Sequence, residues 1–411
     1  MQNKKIIISH ATGNANVRAL VKGVLEKSFL NRYYTCIAVS ENSIWVKLLA
    51  EFRKRSYTSE VLSLTSTRPF FEFCRLVFQR LGIYFFIKHE KGLFSIDKVN
   101  RNLDRYVSNK LKAGDVIYGY EDSSLASFEK LKKLGDGMCI YDLPIGYWRA
   151  MRELLEEERL RRPEWAITLT GFKDTDEKVA RKDRELHLAN LIYVASSFTK
   201  QTLQSYPGKL ASVKVVPYGF PPIYPNRKYR TLSKEDKLKL LFVGGLSQRK
   251  GIANVFEAVD SLDNVSLTVI GRKPVKDCKP LNDSLEKHRY IESLAHSDIL
   301  EEMRTHDILL FPSLFEGYGL VITEAMSQGT PVITTTRTCG ADFIEDGVNG
   351  WLVEPGSTKD IINKLITISS CQEQIAVIGK KAQEKASKLP MATYGQRLIS
   401  SLEENILDNA R

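Results

Sequence analysis

Short apolar runs alternate with amphipathic or charged stretches along nearly the whole 411-residue chain. Brief apolar runs bounded by Gly, Pro, Asn or Ser fit parallel strands covered on both faces, and the longer stretches between them fit helices. The pattern predicts strands at 4–9 (from Lys4), Thr35 to Val39, 115–120, 138–141, 191–195 and 213–217, with helices over Ala15 to Leu30, 149–162 and 177–189. Residues 217–222, Pro-Tyr-Gly-Phe-Pro-Pro, and the charged, apolar-poor stretch up to Lys237 form the one convincing linker. A second series follows, with strands at 238–243, 265–270, 289–292, 307–311 and 331–335 and helices ending near Leu262 and covering 297–304 and 359–369. Such a series folds as a parallel, doubly wound sheet. The chain therefore reads as α/β, two doubly wound Rossmann-like domains in tandem across a cleft, with bounds at 1–225 and 226–392. A last segment, 393–411, carries Leu398, Leu402 and Ile406 at helical spacing within Tyr394 to Ala410.

The stretch that concentrates chemistry is Pro312-Ser-Leu-Phe-Glu316-Gly-Tyr-Gly-Leu-Val-Ile-Thr-Glu324. It reads as the end of a buried strand, a turn with Gly317 and Gly319, and a helix closed by Gly329 and Pro331. A strand, a glycine turn and a helix N-terminus make an anion site, because unpaired N–H groups and the positive dipole end face the turn. Glu316 stands before this turn. Glu324 stands about 8 Å along the helix at a rise of about 1.5 Å per residue, a separation that suits a phosphate and a ribose. Other strand ends of the same domain add Arg249-Lys250 between glycines and Gly271-Arg272, the residue types that hold diphosphates without a metal. In the first domain the loop from His10 to Asn16, with one glycine (Gly13), fails as a dinucleotide fingerprint. It still sits where open α/β sheets bind ligands.

Composition narrows the class. Apolar and charged fractions of 43% and 27% suit a soluble globular protein. The six cysteines show no paired spacing, which argues against zinc and a disulfide scaffold and for a reduced, cytoplasmic setting. The opening residues do not read as a signal peptide, and no apolar run is long enough to span a bilayer. The net charge of +11 is uneven: residues 1–112 hold 20 Lys/Arg against 8 Asp/Glu. Such a basic excess suits an anionic membrane surface or an acidic substrate. Nucleic acid is not expected, for lack of any recognition motif.

The spacing Glu316-x7-Glu324 with Gly-Tyr-Gly inside it, Pro312-Ser313 before it and Ala-Met-x-x-Gly-x-Pro-Val after it resembles glycosyltransferase family 4. The likeness extends through Phe242-Val-Gly-Gly-Leu-Ser-Gln-Arg-Lys-Gly251, Asp346-Gly-Val-Asn-Gly350 and Ala195-Ser-Ser-Phe-Thr199, and so covers nearly the whole chain. The resemblance implies a retaining, nucleotide-sugar-dependent transferase of the GT-B fold, with no cofactor or metal and a UDP- or GDP-linked sugar as donor. It implies that Glu324 binds the ribose, and that Gly317, Tyr318, Gly319 and Leu320 offer backbone N–H groups to the distal phosphate and sugar. Glu316 is implied to contact the sugar, Lys250 to neutralise the leaving diphosphate, the backbone at Gly271-Arg272 to hold the base, and Gly13 to admit the phosphate. Two departures stand out. The family commonly has Arg where Gly245 stands, a charge Arg249 is the candidate to replace. It also often has a first-domain His that is missing around Pro144 to Trp148, for which Asp142 or Tyr147 is the substitute. With His10, Asn14 and Asn16 these two form the expected acceptor side.

The acceptor expected is a glycan or lipid-linked hydroxyl in cell-surface polysaccharide, lipopolysaccharide or glycolipid synthesis. A sugar-nucleotide epimerase or hydrolase of the same fold, and a non-catalytic sugar-nucleotide binder, are the alternatives. Residues 67–89 are aromatic and basic. They read either as an amphipathic element in a membrane interface or as a helix packed on the first sheet with exposed arginines. Membrane contact, if made, would be peripheral, on the inner face. Asp174-Thr-Asp176 matches a metal-binding DxD pattern but reads as a helix cap.

Overall fold

A computed structural model describes residues 5–44, 46, 50–233 and 236–408. The ends of the expected first strand and last helix, Lys4 and Ala410, lie outside these residues, as does the side chain of Ile406. The first sheet has seven parallel strands: β1 (Ile6–Ser9), β2 (Leu30–Thr35), β3 (Thr65–Thr67), β4 (Val116–Tyr120), β5 (Met138–Leu143), β6 (Leu191–Val194) and β7 (Ser212–Val215). They lie in the order β3-β2-β1-β4-β5-β6-β7. The second sheet has six: β8 (Leu238–Val243), β9 (Val265–Ile270), β10 (Arg289–Ile291), β11 (Ile308–Phe311), β12 (Val332–Thr334) and β13 (Trp351–Leu352). Their order is β10-β9-β8-β11-β12-β13. In each sheet the strand order reverses beside the first strand, and the crevice outside the carboxyl ends at that switch point is where such sheets hold ligands.

The central strands are buried on both faces; every residue of β1, β4, β6 and β11 is buried. That burial explains why these strands are made almost wholly of Val, Ile, Leu, Tyr and Phe. The strand expected at Thr35 to Val39 is displaced. The first helix stops at Glu26 and Leu30–Thr35 forms the strand. Tyr33, Tyr34 and Thr35 point into the core, but Asn31-Arg32 interrupt the apolar run and hide it. The more apolar Cys36-Ile37-Ala38 leaves the sheet as a loop. Asp142 and Leu143, expected in a loop, remain in β5.

The last helix, Tyr394–Asp408, packs on the first helix of the chain, Ala15–Glu26. Gly23 and Gly395 meet where they cross. A Cβ on Gly23 would stand 2.6 Å from the Gly395 carbonyl carbon, so only paired glycines permit this approach. Leu398, Ile399 and Leu402 bury the contact face, and the Arg397 guanidinium donates to the Pro217 carbonyl in the linker, 2.9 Å away. The two domains touch extensively across the cleft. Ser247 Oγ donates to the Thr168 carbonyl at 2.7 Å, Trp165 stacks on Phe256, and the buried Gln248 amide donates to Glu158 at 2.5 Å.

Candidate functional site

The turn after β8 and the turn after β11 meet at the second sheet's switch point. Ser247 caps a single 3₁₀ turn, Gln248–Lys250, and Gly251 closes it in the left-handed region. The Arg249 carbonyl accepts from Leu314 N at 2.9 Å and from Ser313 Oγ at 3.1 Å, so the two turns are hydrogen-bonded into one unit. This unit sets the Lys250 ammonium directly against the Glu316 carboxylate, with the Arg249 guanidinium 3.2 Å away on the same oxygen. Lys250 also lies over the Phe311 ring, 4.9 Å from its centre. Burial, and then the neighbouring Arg249, push the Lys250 ammonium well below the ordinary lysine range. Glu316 is the opposite charge beside it, and an opposite charge at contact favours the ammonium form.

A cleft cavity of about 370 Å³ opens at this pair. Gly244, Gly245, Lys250, Glu316, Gly319 and Leu320 line it from the second domain, and Asn14, Asn16, Pro144 and Tyr218 close it from the other side. Gly319, at φ 89°, is the N-terminal cap of the helix Leu320–Ser327. The first N–H groups of a helix have no intrahelical acceptor, and Leu320 and Val321, which begin this one, line the cavity.

Glu324 lies further along that helix, half-buried, and pairs with His296 Nε2 at 3.0 Å. His296 was not legible in the sequence: it opens a separate helix 28 residues earlier, with no motif around it. Gly317 is turned to the first domain. A Cβ there would stand 2.5 Å from Ile145 Cα and still closer to the Pro144 carbonyl, and its carbonyl accepts from Ser196 Oγ (2.6 Å) and Thr199 Oγ1 (2.8 Å). The Tyr318 ring is buried, and its hydroxyl accepts from Gly219 N at 3.0 Å in the linker. Gly271 packs against the Gly244 carbonyl, which leaves no room for a Cβ. The Arg272 side chain is exposed and does not line the cavity.

Several expected positions fall elsewhere. Arg249 stands behind Glu316, bonded to the Phe315 carbonyl at 2.7 Å, and lines a second cavity rather than replacing charge at Gly245. A side chain at Gly245 would meet open space. Gly13, at φ 60°, is buried against the Tyr33 and Tyr57 hydroxyls, where a Cβ would clash, and it is not among the residues that line the cavity. Tyr147 is fully buried, its hydroxyl donating to Asp183 at 2.8 Å, and it does not reach the cavity. His10 accepts at Nδ1 from Thr12 and Gly13 N–H, and burial pushes its imidazole down to about 4. That imidazole is a neutral loop staple edge-on to Tyr120. Asn14 caps the first helix through Val17 N, yet it and Asn16 do line the cavity.

Asp142 is buried at the end of β5, and Tyr118 donates to it at 2.6 Å. It lies within electrostatic reach of Tyr120, Tyr218 and Tyr394, outside the cavity lining. Burial pushes its carboxyl up to about 7. The folded chain therefore keeps this proton where the unfolded chain, near about 4, has released it. Its stabilisation is complete below about pH 4 and is lost as pH rises through 7. Asp142→Asn keeps the acceptor for Tyr118 and cannot ionise. It is expected to match the parent near about pH 3.5 and to exceed it by on the order of 4 kcal/mol at about pH 8, read as unfolding midpoints at both pH values. An equal gap at both would remove the assignment.

Among the described residues, one group of His/Cys/Asp/Glu ligand atoms is close enough for a metal: His89, Glu90 and Asp174. Lys178 and Lys182 each place an ammonium 3.1 Å from Asp174, so its charge already serves two cations. In the Asp174-Thr-Asp176 pattern it is Thr175 that caps the following helix. All six cysteines are free thiols. No helix among the described residues is long and apolar enough to cross a membrane.

Residues 225–385 match the family described as glycosyl transferases group 1. Over 157 residues the chain is 29% identical to the sulfoquinovosyl transferase SQD2 of Arabidopsis thaliana, covering 37% of this chain and 31% of that one. It is 30% identical over 166 residues to the lipopolysaccharide glucosyltransferase WaaG of Escherichia coli K12, covering 36% and 44%. The chain thus matches less than half the length of these curated relatives. The Anabaena protein Alr3699/HepE, solved with UDP and glucose, superposes with a TM-score of 0.61 at 17% identity over 98% of this chain and 100% of that one. Residues 225–385 thus resemble a group 1 glycosyl transferase domain, and the whole chain has the GT-B fold of that solved structure.

Proposed function

We propose that this chain is a retaining hexosyltransferase that moves a sugar from a nucleoside diphosphate, UDP or GDP, to a hydroxyl of a glycan or lipid-linked acceptor. The observation that carries the reading is the Lys250–Glu316 pair beside a capped helix N-terminus in the interdomain cavity. The solved neighbour with UDP and glucose, and relatives named for lipopolysaccharide glucosyl and sulfoquinovosyl transfer, support donor class and cell-surface or glycolipid products. Glu316 neutralises Lys250. An entering diphosphate takes over that role, and the carboxylate is freed to accept from sugar hydroxyls. As the glycosidic bond breaks, negative charge grows on the phosphate, where Lys250 and the first N–H groups of the helix at Leu320 stabilise it. No metal is required for that step, and activity in excess chelator is the test. Retention follows if the departing phosphate takes the acceptor proton on the same face.

The deciding experiment is a panel of nucleotide sugars with and without acceptor, with the product's anomeric configuration read by NMR. Donor hydrolysis without transfer under every acceptor condition would instead mean a hydrolase, and a product with the opposite anomeric configuration would remove retention. Glu324 is assigned to the ribose hydroxyls, with His296 orienting its carboxylate. Glu324→Ala is expected to raise the donor KM by about 10- to 100-fold, by loss of a charge-assisted hydrogen-bond pair. The drop in kcat should be smaller. A parental KM would move the ribose contact elsewhere.

A further inference from the structure

Nine of the 17 exposed large apolar side chains among the described residues fall within residues 70–96. The helix Pro69–Arg80 turns Phe71 and Leu76 inward onto the first-domain core. Its outer stripe is Phe70, Phe73 and Val77, continued by Leu81, with exposures of 63%, 55%, 37% and 64%. Tyr84 and Phe85 extend the stripe at 68% and 78%. Phe94 ties the underside together, in ring contact with Phe70, Phe71 and Phe78. A soluble surface seldom carries so much contiguous apolar area without a partner.

Charge decides what the partner is. Residues 67–112 hold ten Lys/Arg and four Asp/Glu, and none of the four acids is exposed. Glu72 is buried between Arg55 and Arg75, Asp97 pairs with Lys178 at 2.7 Å, Asp104 accepts from Ala126 and Ser127 N–H, and Glu90 accepts from Thr175. Arg80, Lys88, Lys91 and Lys98 are exposed. An apolar stripe in a segment whose own exposed charges are all basic, with Glu51 and Asp176 exposed acids on neighbouring elements, fits an anionic interface whose depth is apolar.

We propose that this surface docks the chain on an anionic phospholipid bilayer and presents the second cavity to it. His89 and Glu90, at the end of the aromatic segment, bond to Asp174 and Thr175 at 2.9 Å. Asp174 lines a cavity of about 270 Å³ with Glu121, Trp148, Lys182 and Arg249, and Arg249 touches Glu316. One rigid run of contacts thus joins the bilayer-facing stripe to the donor pair. This rests on the transferase reading only for what enters that cavity, a hydroxyl carried on a membrane lipid.

The test sediments the purified full-length chain with phosphatidylcholine vesicles, with and without phosphatidylglycerol. Binding is expected with phosphatidylglycerol only, and is expected to fall at high salt. Phe73→Ser/Leu81→Ser/Phe85→Ser should lose at least about tenfold in vesicle partition, and Lys88→Glu/Lys91→Glu a similar factor. Both should keep the parental unfolding midpoint and parental turnover of a water-soluble acceptor. Vesicle binding that survives the triple substitution overturns the proposal. So does a parent that stays off vesicles and sediments as a dimer that the triple substitution disperses. An inactive parent that still binds vesicles would sink the transferase reading and leave the docking surface standing.

Discussion

Lys250→Ala is expected to slow sugar transfer by about 100- to 1,000-fold, the usual loss when one preorganised group facing developing charge is removed. The donor KM should change much less. Lys250 lies at the end of a one-turn helix pinned by Ser247 and Gly251, so its ammonium is held in place before any ligand arrives. Its surroundings make that charge effective: the side chain is mostly buried, beside Phe311, and few waters remain to screen it. Folding should survive the change. Glu316 keeps Arg249 on the same oxygen at 3.2 Å, so no carboxylate is left buried and alone. Lys250→Arg keeps the charge but not the shape, and should recover only part of the rate. The readout is single-turnover transfer with saturating donor. A Lys250→Ala chain with parental single-turnover rate would falsify the assignment of this lysine to the leaving group.

The second-domain half of the cavity was legible because its chemistry is local. Glu316, Gly319 and Leu320 lie within five residues, and strand, turn and helix follow in one stretch, so spacing alone placed them. Lys250 required a second stretch, but its flanking glycines marked the turn. Residues whose position depends on distant packing were misplaced or missed. Tyr147 looked free in a loop and is instead captured by Asp183, 36 residues away. Arg249 and Lys250 are neighbours in sequence and meet the same Glu316 oxygen, yet they line different cavities. The pair His296–Glu324 is made by two helices meeting, and no periodicity encodes it. Both sheets follow the same logic. Runs such as Ile308–Phe311 announce themselves because both faces are apolar, whereas Thr65–Thr67, a strand of Thr and Ser at the sheet edge, carries no apolar signal at all.

The aromatic segment shows the same limit from another side. Its periodicity left open whether the apolar face met the core or a membrane. The structure answers that the helix has two apolar faces: Phe71 and Leu76 pack inward, while Phe70, Phe73 and Val77 face out. The sequence count of charges was informative only once the acids of that segment were found turned inward. An excess of ten bases over four acids in residues 67–112 becomes a segment whose exposed charges are all basic.

Gly317→Ala is expected to abolish transfer, by at least about 100-fold, while leaving each domain folded. The added methyl would stand 2.5 Å from Ile145 Cα and closer to the Pro144 carbonyl, and these are backbone atoms that cannot rotate aside. Within the second domain no comparable obstacle exists at this position, so the strain falls on the contact between domains. That contact is the seam between the two cavities. Pro144 lines one and Ile145 and Gly146 line the other, with Phe315 packed against Gly146. Parting the seam would also break the two hydrogen bonds that Ser196 and Thr199 donate to the Gly317 carbonyl in the buried interface. Water would then enter a site whose charge pair depends on being dry. Nucleotide binding, which the proposed function assigns to second-domain groups, should persist within about threefold. Two measurements separate this from simple unfolding. Calorimetry with the free nucleotide should show a parental binding enthalpy and stoichiometry, and small-angle scattering should show a larger radius of gyration than the parent in the presence of donor. If the variant instead closes on the donor and turns over at the parental rate, the Pro144–Gly317 contact is not what commits the two domains to the reaction.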